Sequence, residues 1–194
     1  LFRLFAIFFI IAFLFHCVAL VASEDRLIGK KAPMISGRSA TSVGLIKLNS
    51  LLTEVSYQKD KFDRFVKKNG KYVLLVTKNV VVLNFFSTSC VPCIREIPTF
   101  NRIADKYAKE PVKFMYVNVD PNLNVSQIRR FIARKQIKVP MMLPNQKEAL
   151  QKYNAYVLPR LVVIDRNGVI TNVITGFHEN LSEELSAKIN RLIE

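Results

Sequence analysis

Cysteine and histidine are scarce in this sequence, and acidic side chains are outnumbered. Three cysteines and two histidines occur among 194 residues. Cys17 lies in an apolar N-terminal run, while Cys90 and Cys93 are separated by only two residues, so a disulfide framework of the small secreted kind cannot be built. A closed structural zinc site needs four ligands, and the two histidines, His16 and His178, lack ligand spacing. With 29 basic against 15 acidic residues the formal charge is +14. Such a surplus could suit nucleic acid, anionic lipid or acidic partners. No helix-turn-helix, zinc-finger or RNA-binding signature is present, however. The densest cluster, Arg129, Arg130, Arg134, Lys135 and Lys138, falls on the polar side of an expected helix, so a solvated basic face is expected rather than nucleic-acid binding. There is no internal repeat.

What is abundant is apolar residue, half of the chain, enough for one packed domain with extras. Leu4 to Ala22 is an almost unbroken apolar run, preceded by Arg3 and followed by Ser23, Glu24, Asp25 and Arg26. Residues 1–23 therefore read as a signal peptide or an N-terminal membrane anchor. The run exceeds the usual signal core of ~7–15 residues and approaches the ~20 that span a bilayer. Against retention, Val21-Ala22-Ser23 offers small residues for cleavage after Ser23. Cys17 follows Phe15 and His16 rather than a small residue, so a lipoprotein is not expected. Either form places the folded part, residues 24–194, outside the cytoplasm, although Arg3 against Arg26, Lys30 and Lys31 does not itself set that orientation.

Residues 24 to 44 read as an irregular lead-in, followed by a short strand and turn through Leu45 to Leu52. Phe62, Phe65 and Val66 at helical spacing, with Asn69-Gly70 as a stop, predict a short helix over Asp60 to Lys68. Tyr72 to Thr77 and Val80 to Phe86 are expected as a strand pair or one bent strand, the second run deeply buried. Ser87-Thr88-Ser89 then caps a helix whose stripe is Ile94, Ile97, Phe100, Ile103, Ala104 and Tyr107. Further along, Val112 to Val119 predicts a strand, Val125 to Ile132 a helix, Val139 to Leu143 an extended piece and Gln146 to Tyr153 a short helix. Leu161 to Ile164 and Val169 to Thr175 flank Asp165-Arg166-Asn167-Gly168 as a hairpin, before a closing helix from Glu179 to Ile193. This order predicts a three-layer α/β/α sandwich with a mixed central sheet, the outline of the thioredoxin fold.

Cys90-Val91-Pro92-Cys93 thus stands at a strand-to-helix junction. The unpaired N–H groups and positive end of the helix favour thiolate at Cys90, where pKa values fall to ~3.5–7.5, which makes Cys90 the attacking sulfur. Cys93, one turn in, would resolve the mixed disulfide. Half a zinc site or an accidental spacing is the bland alternative, and the strand context weighs against it.

The run Val80-Val81-Val82-Leu83-Asn84-Phe85-Phe86 into Cys90-Val91-Pro92-Cys93-Ile94-Arg95-Glu96-Ile97-Pro98 resembles the TlpA/ResA-like branch of thioredoxin-fold thiol-disulfide oxidoreductases. Val117 to Asp120, Val139 to Leu143 and Tyr153 to Ile170 are similar to further family segments, so that residues 80 to 176 carry the match. The resemblance implies that Pro159 is a cis-proline facing the dithiol and pairing with substrate, with Leu158 against the sulfurs. It also implies an extracytoplasmic enzyme, in the periplasm or on the outer face of the cytoplasmic membrane, that reduces or exchanges disulfides in exported proteins. Cytochrome c maturation is one such setting. The redox-active disulfide would be the only prosthetic element, and a membrane electron donor would reduce it again. Ser89 replaces the family's usual Trp and Arg160 its usual Thr, while residues 54–79 read as an insertion. Many thioredoxins hold a buried Asp six residues before the first cysteine to move the proton of the second. Asn84 stands there, and an amide cannot take that role. Glu96, three residues after Cys93 on the same side of the helix, is the candidate, matching the family's glutamate.

Two rivals remain at this point. A non-catalytic module holding copper or haem-related cargo would use the thiols as ligands, although only His178 could assist. A thiol peroxidase of the same fold would want Pro and Thr where Leu83 and Ser87 stand.

Overall fold

The computed structural model describes residues 25–122 and 124–194. The expected signal or anchor, with His16 and Cys17, lies outside the described residues. Among the described residues no helix is long and apolar enough to cross a membrane.

Strands β1 (Ser36–Ser39), β2 (Leu45–Lys47), β7 (Val80–Phe86), β8 (Val112–Asn118), β9 (Met141–Pro144), β10 (Arg160–Ile164) and β11 (Ile170–Thr175) form a seven-stranded sheet in the order β11-β10-β7-β8-β9-β1-β2. The β7–β8 and β8–β9 pairs are parallel and the others antiparallel. The helices are α1 (Leu48–Leu52), α2 (Val91–Lys106), α3 (Val125–Lys135), α4 (Gln146–Tyr153) and α5 (Leu181–Ile193). This is the expected mixed α/β thioredoxin-like fold.

β7 is buried along its whole length because both of its faces meet a core. Val80, Val82 and Phe86 join Ile97, Phe100 and Ile103 of α2 and Leu185 and Ile189 of α5. Val81, Leu83 and Phe85 join Leu48 of α1 and Ala149 and Tyr153 of α4 on the other side. A strand covered on both faces reads as a continuous apolar run, as this one does.

Four local expectations are corrected. The lead-in contains a strand, β1, which pairs with both β9 and β2. Gly37 is its hidden signal, since a Cβ there would collide with the Leu143 carbonyl and only glycine admits that approach. Residues 48 to 52 are helical, not a turn. Asp60 to Lys68 forms no helix, because the Asp60 carboxylate accepts from the Phe62 and Arg64 backbone N–H groups and closes a local turn instead. β6 (Leu74–Lys78) does not pair with β7 but with β3 (Thr53–Tyr57), and β4 (Lys67–Lys68) pairs with β5 (Lys71–Tyr72). Residues 53 to 78 therefore form a ribbon outside the central sheet. It is rooted where the Asn79 N–H donates to the Leu52 carbonyl at 2.9 Å.

Candidate redox site

The β7 strand delivers the chain to the end of the sheet, where Ser87 to Ser89 turn it into α2. Asp120, just past β8, holds that turn: it accepts from the Ser87 hydroxyl at 2.5 Å and from the Thr88 N–H at 2.9 Å. The Asn118 amide also donates to it, at 2.6 Å. The Cys90 N–H donates to the Ser87 carbonyl at 3.1 Å. Cys90 is the N-cap of α2, its Sγ accepting from the Cys93 N–H at 3.2 Å, with Pro92 in the first turn where a missing N–H costs nothing.

Cys90 and Cys93 form a disulfide, with Cα atoms 5.3 Å apart. Cys90 is half-buried and Cys93 buried, so an approaching group meets Cys90 first. The Leu158–Pro159 peptide bond is cis. Because Arg160 pairs with Phe85 across β10 and β7, Pro159 stands at the end of β7 from which the chain turns toward Cys90. Leu158 is half-buried against the same core cluster that Cys93 joins and Cys90 borders, and exposed Tyr156 and Val157 lead into it. Arg160 does not reach this surface. It is buried on the other sheet face, donating to the Tyr153 carbonyl at 2.8 Å and to Asp25 at 2.6 Å.

Glu96 lies on the buried side of α2 and is only 2% exposed. Burial raises its pKa from 4.5 to about 7; the His178 backbone N–H and the Asn84 side chain oppose this more weakly. Neither meets hydrogen-bond geometry, and both Glu96 carboxylate oxygens are without a protein partner. A carboxyl poised near neutrality beside a buried cysteine can take and return a proton. The spacing from Cys93 placed Glu96 on this buried side of α2. It missed Asp120 as the holder of the turn, because that residue arrives just past β8, whose partnership with β7 is not written in local sequence. His178 is part-exposed, its Nδ1 3.1 Å from Glu184. Among the described residues, no three His, Cys, Asp or Glu side chains are grouped to hold a metal ion.

Fold and site together define a thioredoxin-fold protein with a Cys-x-x-Cys disulfide at a helix N-terminus. The chain belongs to the Redoxin family, whose profile matches residues 68–188. It is 38% identical over 97 residues to thiol-disulfide oxidoreductase ResA of Geobacillus kaustophilus, covering 50% of this chain and 54% of that protein. It is 30% identical over 115 residues to ResA of Halalkalibacterium halodurans, covering 59% and 62%. The chain thus spans between half and two thirds of the length of these relatives. A thiol:disulfide interchange protein of the thioredoxin family from Chlorobium tepidum shares the fold, with a TM-score of 0.60 at 20% identity over 89% of this chain and 100% of that one.

Proposed function

We propose that this protein is an extracytoplasmic thiol-disulfide oxidoreductase that reduces or exchanges disulfides in exported proteins. The observation that carries the reading is the Cys90–Cys93 disulfide at the start of α2, at the same sheet end as cis-Pro159. The ResA relatives and the apolar run of residues 4–22 support the activity and the location.

In the reduced protein the Cys90 thiolate, favoured by the helix N-terminus, attacks one sulfur of a substrate disulfide. A Cys90–substrate disulfide forms and one substrate thiolate leaves. Glu96 accepts the proton of Cys93, and the Cys93 thiolate attacks Cys90. The Cys90–Cys93 disulfide forms as the second substrate thiolate leaves. The substrate has gained two electrons and takes up two protons, while the protein has lost two electrons. A membrane electron donor returns these. Leu158 and Pro159 supply the apolar surface and backbone against which the substrate segment lies.

The test is capture. Cys93→Ser leaves the first attack intact and should accumulate mixed disulfides with exported proteins, whereas Cys90→Ser should capture none and abolish exchange. Capture through Cys93 in the Cys90→Ser form, with none through Cys90, would overturn the assigned roles. Loss of exchange in neither variant would overturn the function.

A further inference from the structure

Beneath the disulfide, three side chains from three elements bring unpaired polar atoms into the core. Asn84 on β7 and Tyr116 on β8 are register partners in the parallel pair and project to the face covered by α2. Glu96, buried on α2, faces the same core: the Asn84 side chain lowers its pKa, and its own charge raises that of the Tyr116 hydroxyl. Asn84 Oδ1, both Glu96 oxygens and the Tyr116 hydroxyl are all buried with no protein partner. Each such atom carries a desolvation cost of roughly 1–3 kcal/mol when nothing replaces water, so several in one place call for a shared explanation.

The Tyr116 ring needs none. It is fully buried, 5.3 Å from the Phe86 ring and 4.9 Å from that of Phe100, and a phenylalanine would fill that space as well. The hydroxyl alone is unaccounted for. It is a neutral donor, as is the Asn84 amide, whereas a carboxylate only accepts hydrogen bonds, and burial together with the Glu96 charge pushes the hydroxyl's own ionisation far upward.

We propose that Tyr116 is a positioning residue for Glu96, its hydroxyl donating a hydrogen bond to the charged carboxylate through one internal water. The proposal rests on the reading of Glu96 as the proton acceptor for Cys93. Tyr116 keeps its proton throughout. When Glu96 is charged the hydroxyl stabilises the anion, and when Glu96 takes the Cys93 proton that stabilisation is released. The hydroxyl therefore sets how readily the carboxylate accepts. The other titratable or charged groups on the neighbouring elements are Cys93 and Arg95 on α2, Cys90 at its N-cap, Asp120 at the turn, and His178 after β11 with its partner Glu184 on α5. Arg95 is exposed and lies 4.8 Å over the Phe177 ring. Arg160 and Asp25 are paired on the opposite sheet face.

Tyr116→Phe in the full chain keeps the ring and removes only the donor. In the oxidised protein, where neither site cysteine titrates, the 13C carboxyl signal of Glu96 should follow a midpoint moved up by about one pH unit. That is the lower end for a hydrogen bond to a charged group. The pH profile of exchange with glutathione should shift in the same direction. An unmoved Glu96 midpoint overturns the Tyr116 proposal, while a Glu96→Gln variant that still alters the exchange profile leaves the proton-acceptor reading standing. If Glu96→Gln changes nothing, that reading fails and the Tyr116 proposal fails with it. Should Tyr116→Phe not fold, the ring carbon bearing the hydroxyl in the parent protein gives the same answer. Its 13C shift should inflect at the Glu96 midpoint, and a flat trace overturns the proposal.

Discussion

Lys78 ends β6 and Val80 begins β7, yet every residue of β6 is exposed and every residue of β7 is buried. Both open on branched aliphatic residues, Leu74-Leu75-Val76 and Val80-Val81-Val82-Leu83, that suit a strand. The difference comes from partners: β7 has β8 and β10 beside it and helices over both faces, whereas β6 has only β3. An isolated two-stranded ribbon is marginal in water, and this one leans on local contacts. Tyr57, Phe65 and Tyr72 meet edge to face, and Glu54 reaches back to Lys113 of β8 at 2.6 Å. Strand propensity places a chain in extended form; only topology decides whether the strand carries the stability of the domain.

The sharpest way to break this contrast is a matched pair of truncations. Phe86→Ala should cost about 3–5 kcal/mol in urea unfolding, the usual range for a buried aromatic. Phe62→Ala, at an exposed ribbon position, should cost less than about 0.5 kcal/mol. Comparable losses would mean that the ribbon is part of the cooperative core.

Buried and exposed acids should differ next. Above its ordinary value of 4.5 Glu96 would ionise in the unfolded chain, while the folded protein keeps the proton up to about 7. The folded state binds more protons across that window, so stability falls as pH rises through it. At about 1.4 kcal/mol per pH unit, Glu96→Gln should gain about 3 kcal/mol over the parent at pH 8, relative to the difference between the two at pH 4. Glu54→Gln, which removes a surface ion pair, should change stability by less than about 1 kcal/mol at either pH. A pH-independent Glu96→Gln effect would remove the case for a carboxyl held neutral by burial.

A small effect should come even from the largest deletion. Replacing residues 54–77 by an Asn-Gly turn joins Thr53 to Lys78 above the contact between Asn79 and Leu52. The melting midpoint should then move by less than about 4 °C, equivalent to about 1 kcal/mol for a domain of this size. Trypsin should cut the parent first within the ribbon, which carries Lys59, Lys61, Arg64, Lys67, Lys68 and Lys71. A much larger drop in the midpoint would show that β7 depends on its exposed neighbour.

Legibility followed the same division. β7, α2 and the Cys90/Cys93 junction were readable because their periodicity, capping residues and spacing are local properties of adjacent residues. The burial of Glu96 on the Cys93 side of α2 was readable for the same reason, since it lies three positions from Cys93 on one helix. β1 was not, since Gly37 looks like a loop residue until the Leu143 carbonyl is brought against it. The false helix over Asp60 to Lys68 arose because apolar spacing carries no record of the Asp60 side chain competing for backbone N–H groups. Tyr116 could not be connected to Glu96 at all without the parallel register of β7 and β8, which joins positions 84 and 116.

The ion pair between Asp25 and Arg160 also has a mechanical meaning. The segment that follows Asp25 runs antiparallel along β11, with the Gly29 N–H on the Ile170 carbonyl, the Ile170 N–H on the Lys30 carbonyl and the Ala32 N–H on the Gly168 carbonyl. Tension arriving at Asp25 would be carried by these bonds together. The Asp25–Arg160 pair would meet the force first. Since Arg160 is also held by the Tyr153 carbonyl and by Thr175, a pull would pass into the start of β10 beside Pro159 before it reached Cys90.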